Sequence, residues 1–141
     1  MSSDRTLRLA RLAFLVLAWA FVACLAVQLF LVGLDVFRPD GLKAADGTPG
    51  VHREFAYLYG WIAPGLVLLA VAGRLRRDRL LLTMALLVLF AVQTYLPTLA
   101  DRAPLLAALH AVNALAVVTV AVTLALGARD QVRLVPRTGG S

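Results

Sequence analysis

Four long stretches of this chain carry almost no charge, and each is long enough to cross a bilayer. They run Leu12–Leu34, Phe55–Gly73, Leu80–Leu96 and Leu105–Gly127. About 20 helical residues cross a hydrocarbon core of about 30 Å. The chain is 61% hydrophobic, against about 45–50% for a soluble domain. The runs are too continuous for the alternation of a membrane barrel. They predict an all-α, polytopic membrane four-helix bundle filling one domain over residues 1–141. The spans fall at about 12–34, 52–73, 79–97 and 104–127, with an outer loop at 35–51 and a basic tail at 128–141.

Charge orients the bundle. Arg5, Arg8 and Arg11, then Arg74, Arg76, Arg77 and Arg79, then Arg129, Arg133 and Arg137 all fall on one side. Arg38, Lys43, Arg53 and Arg102 fall on the other. With the acids counted, the sides carry +7 and −1 of the formal +6. The positive-inside rule then places both termini in the cytoplasm; the location expected, with the bacterial resemblance given below, is the inner membrane of a bacterium. The basic balance is a topology signal; a nucleic-acid partner would need a basic soluble surface. The first run is too long for a signal-peptide core. The resemblance of Phe21-Val22-Ala23-Cys24 to a lipoprotein processing box would cost most of the first span. Cys24 otherwise reads as a small apolar residue.

The chain also reads as two repeated helical hairpins. Ala26-Val27-Gln28-Leu29-Phe30-Leu31 closes the first span and Ala91-Val92-Gln93-Thr94-Tyr95-Leu96 the third. From His52, offsets of 4, 7 and 11 give Ala56, Tyr59 and Ala63; from His110 they give Ala114, Val117 and Ala121. Those offsets trace one helical face. Each hairpin thus brings one Gln and one His, and repeat interfaces commonly house sites in membrane bundles. The loop between Asp35 and Val51 should be irregular. Pro104 is suited to the first turn of the last helix, and Pro64 should kink the second and free a carbonyl near Gly60.

His52 and His110 are the chain's two histidines, and ionisable rings at membrane depth usually mark a site. Gln28, Gln93, His110 and Asn113 fall in the outer half of the bilayer, with His52 at its boundary. Two imidazoles on facing helices suit six-coordinate haem iron. Structural zinc wants about four protein ligands, and the acids here read as confined to loops. Ala56, Ala63, Ala114 and Ala121 would leave room for a flat ring, with Tyr57, Tyr59, Phe30 and Tyr95 at its edges. Arg53 is the first choice for the propionates, then Arg102, Arg38 and Lys43; the alternative for these cations is interfacial anchoring. Trp19 and Trp61 read as packing or lipid contacts. A bland reading stands beside this one: the polar residues bond only to each other across helices, in a structural or accessory membrane protein. A proton relay lacks any continuation toward the cytoplasmic side, and a small multidrug transporter would need an acid in the first span.

Gln28, His52-Arg53, Gln93 and His110 together resemble one four-helix half of the haem A synthase family, which has two such halves. Leu109-His110-Ala111-Val112-Asn113 is similar to a motif of small four-span bacterial membrane proteins. The resemblance implies axial ligation of one haem b by His52 and His110. It does not carry the synthase activity over, because Pro49 stands where the synthases carry a catalytic Glu. A non-enzymatic role in electron transfer, or in haem carriage or sensing, follows. The partner would be a quinone or a membrane redox protein, and a homodimer would rebuild the two-halved architecture.

Overall fold

The computed structural model describes residues 2–37 and 50–133, with side chains described from Asp4 to Val132. All of its regular structure there is helical: α1 (Ser2–Phe37), α2 (Val51–Tyr59), α3 (Ile62–Ala72), α4 (Arg77–Tyr95) and α5 (Pro104–Arg133), with a 3₁₀ turn over Leu96–Leu99. The helices make four apolar segments of membrane-spanning length: Asp4–Phe37, Val51–Ala72, Arg77–Leu99 and Pro104–Val132. The protein is therefore a multi-pass helical membrane bundle. Both outer spans are longer than their apolar runs, because the helix of α1 takes in the N-terminal arginines and Asp35, and that of α5 continues to Arg133. Phe21-Val22-Ala23-Cys24 lies inside continuous helix. Of the outer loop, residues 38–49, including Arg38, Lys43 and Pro49, lie outside the described residues.

The second span is broken where Pro64 requires it. Proline has no N–H to give Gly60 O, four residues back. Ala63 N takes that carbonyl instead, at 3.3 Å, and the chain turns at Gly60-Trp61 between α2 and α3. Gly60 is needed there: a Cβ would sit 3.1 Å from the Phe90 ring and 3.0 Å from Ala56 O. Pro104 opens α5 as its first residue.

Packing is cyclic. α1 packs on α2, α3 and α5, α3 on α4, and α4 on α5. Spans two and four, which carry His52 and His110, therefore stand on a diagonal. The core repeats. On the second span Tyr59, Ala63, Leu66 and Ala70 are buried; 58 residues later Val117, Ala121, Leu124 and Ala128 are buried. On α1 and α4 the matching stripes are Ala18, Phe21, Leu25 and Thr83, Leu86, Phe90, 65 residues apart. Phe21, Tyr59 and Phe90 form a triangle of rings with centroids 5.6 Å apart, and Phe55 joins at 5.1 Å from Tyr59. Edge-on arrangements of this kind suit the aromatic quadrupole.

The arginine-rich end is tied by hydrogen bonds to helix carbonyls. Arg11 donates from Nε to Gly73 O at 2.9 Å and from a terminal nitrogen to Gln131 O at 3.1 Å, joining α1 to the ends of α3 and α5. Arg79 donates to Thr123 O at 3.3 Å, and the Arg129 guanidinium lies 5.2 Å from the Trp19 ring. Cations near helix C-termini also complement the helix dipole.

Candidate functional site

The polar residues of the opposite end form two clusters, one per hairpin. In the second hairpin Pro97 again decides which carbonyl is free. It leaves Gln93 O without its helical donor, and His110 Nδ1 lies 2.9 Å from that oxygen. A carbonyl only accepts, so Nδ1 carries the proton and Nε2 is the bare nitrogen. The Gln93 side-chain amide donates to this Nε2 at 3.0 Å. Asn113 Nδ2 then donates to Gln93 Oε1 at 2.7 Å and to Leu89 O at 2.9 Å. The side chains thus form a relay from Asn113 through Gln93 to His110, which ends on the Gln93 backbone carbonyl.

In the first hairpin the partner of His52 is Asp35. The Asp35 side chain is 2% exposed. Its Oδ2 accepts from the His52 backbone N–H at 3.0 Å and from Nδ1 at 2.7 Å. Gly50 is the N-cap of α2 and has no side chain with which to cap it. Asp35 supplies that oxygen from another helix, where the first-turn N–H groups favour a carboxylate. Gly50 makes space for it: a Cβ would lie 2.5 Å from Asp35 Oδ2 and 2.9 Å from His52 Nδ1. The reading that acids are confined to loops is thus corrected: Asp35 is helical, buried and bonded to a candidate ligand.

The two clusters are built alike. Each histidine lies 17 residues after its partner. Each donates Nδ1–H to an oxygen of the preceding span, leaving Nε2 as the basic nitrogen. His52 Nε2 has no hydrogen bond among the described residues, and the ring is 25% exposed.

The other expected site residues divide. Gln28 joins neither histidine: it lies two turns below Asp35 on α1, with Oε1 buried and lacking a hydrogen-bond partner. Tyr59 lies two turns from His52, inside the aromatic triangle. Arg53 and Arg102 are exposed at the same end. Phe30, Tyr57 and Tyr95 are each more than half exposed, on the bundle's outer surface. Ala63 and Ala121 are packed into the core, while Ala56 and Ala114 are half-buried nearer the histidines. A flat group would have to sit beyond the aromatic triangle, at the level of the rings. No cluster of three or more His, Cys, Asp or Glu suited to a metal ion occurs among the described residues, so a metal here would take most of its ligands from elsewhere. No protein-family model, curated protein or solved structure matches the chain.

Proposed function

We propose that the histidine end of this bundle binds one haem b through His52 and His110, and that the protein serves electron transfer, haem carriage or haem sensing rather than catalysis. The observation that carries this reading is the shared state of the two rings. Metal-ligating histidines characteristically donate their other N–H to a carboxylate or a backbone carbonyl, which fixes the tautomer and raises basicity. His52 does the first with Asp35 and His110 the second with Gln93. His52 leaves Nε2 without a hydrogen bond among the described residues, His110 Nε2 is held by Gln93, and the two spans stand on the bundle's diagonal.

The donor set fits a group that brings four ligands of its own, as haem does. His52 and His110 would hold it, Arg53 is placed for an acidic edge group, and Gln28 offers an acceptor below. Gln93 would have to release His110 Nε2. When bound, the group supplies one-electron chemistry, and the chain positions and shields it. The charge asymmetry supports a bacterial inner-membrane location with both termini inside. There a quinone or membrane redox protein would be the partner and a second copy of the chain a possible neighbour.

One observation favours the structural alternative. Gln93, His110 and Asn113 already satisfy one another, as polar side chains of a purely structural membrane bundle do. A reduced-minus-oxidised visible spectrum of the purified protein, beside His52→Ala and His110→Ala, decides between the two. Sharp reduced α and β bands lost in both variants are the expected result. A wild type still colourless after haem is added would sink the proposal and leave the histidines as bonds between helices.

A further inference from the structure

We propose that a groove between α1 and α3, at the arginine-rich end, binds an anionic phospholipid. Leu9, Leu12, Ala13, Val16 and Leu17 of α1 line it with Leu69 of α3; it is an open, shallow groove of about 420 Å³. Its walls are almost wholly apolar and suit part of an acyl chain. Two arginines adjoin its lining residues along the chain. Arg8 lies one turn before Leu12 on the same face of α1, and Arg74 follows one turn after Leu69. The bond from Arg11 Nε to Gly73 O holds those two stretches together.

The backbone at Arg74 adopts a left-handed conformation. α3 ends in a Schellman turn: Leu75 N bonds to Ala70 O and Arg74 N to Val71 O, both at 3.0 Å. Leu75 and Ala70 are both buried, as that turn requires. Its left-handed position ordinarily belongs to glycine, yet Arg74 occupies it with φ 47°. The chain keeps an arginine where glycine would be less strained. Asp78 meets Arg76 at 3.2 Å and Arg79 at 3.7 Å. Arg8 and Arg74 make no ion pair among the described residues and are exposed. An apolar slot topped by two uncompensated cations matches a lipid with an anionic headgroup, and charges at the membrane surface attract such lipids.

The test uses the full chain in a neutral detergent, titrated with phosphatidylglycerol or phosphatidylcholine while thermal unfolding is followed. A ligand of the native state raises Tm. The expected result is a rise with phosphatidylglycerol and little with phosphatidylcholine. Arg74→Gly should leave Tm without lipid at or above the wild-type value, yet raise the phosphatidylglycerol concentration needed for a given shift about fivefold. Ala13→Trp, at an exposed position inside the groove, should remove the effect with both arginines intact. Equal shifts from the two lipids would overturn the proposal. So would an undiminished shift in Arg74→Gly or Ala13→Trp, or the same shift from glycerol phosphate alone.

Discussion

Asp35 Oδ2 is bonded both to the backbone N of His52 and to its ring Nδ1, so one oxygen fixes the start of α2 and the ring that α2 presents. Loss of such a partner typically costs a histidine ligand 10–100-fold in affinity (about that range). On the proposed haem reading, Asp35→Ala should therefore weaken haem binding by about that factor; independently of it, amide exchange at His52 should speed up. Asp35→Asn, which keeps an acceptor, should fall between. Wild-type haem affinity in Asp35→Ala would show that the carboxylate does not position the ring.

Gly50→Ala tests the same arrangement from the other side. The added methyl would press on Asp35 Oδ2 and His52 Nδ1. Overpacking of this kind costs about 1–3 kcal/mol, where an ordinary glycine-to-alanine change at a compatible site stabilises. In Asp35→Ala the nearer of the two obstructions is gone. The double variant should then be more stable than the sum of the single effects predicts, and a double-mutant cycle by denaturation measures the difference. Additive effects would mean that Gly50 and Asp35 do not share this space.

The helical bundle was legible because apolar runs of spanning length leave few alternatives, and the buried stripes fall where the repeated small residues place them. The partner of His52 was missed because Gln28 matches Gln93 in its neighbours, Ala26-Val27 and Ala91-Val92. A better signal was present. Asp35-Val36-Phe37-Arg38-Pro39 and Gln93-Thr94-Tyr95-Leu96-Pro97 share a polar residue, an aromatic and a proline at equal spacing, each 17 residues before a histidine. In the second hairpin the proline frees the backbone carbonyl that His110 meets, whereas in the first it is the Asp35 side chain that His52 meets. The aromatic triangle was not legible, because composition does not say which rings turn inward: Tyr59 does, while Tyr57 and Tyr95 face outward.

Pro97 should govern the state of His110. Pro97→Ala restores an N–H that competes for Gln93 O, so the His110 ring should loosen and its Nδ1–H tautomer become less dominant in nitrogen NMR spectra. Asn113→Ala leaves that carbonyl untouched. It should keep the tautomer and cost only about 0.6 kcal/mol, the usual worth of a side-chain bond between membrane helices. A wild-type ring protonated on Nε2 instead would contradict the assigned geometry and remove the likeness between the two histidines.

Arg11 should matter more to stability than any other arginine whose bonds are described, because its single guanidinium holds α1 to α3 and α5 at once. Hydrogen bonds from a charged donor contribute about 1.5–3 kcal/mol where they are shielded from water. Arg11 is half-buried, so Arg11→Ala should cost about 2 kcal/mol in all. Arg11→Lys keeps the charge, but an ammonium lacks the planar fork that reaches Gly73 O and Gln131 O together, so it should recover less than half of the loss. Arg79 offers the control: it is half-buried too, but it makes one longer bond to a carbonyl, at 3.3 Å, on an exposed stretch of α5, and its other partner is Asp78 of its own helix. Arg79→Ala should therefore lower stability much less. Full recovery by lysine in unfolding measurements would show that Arg11 acts through its charge alone, with no part for the geometry of its two bonds.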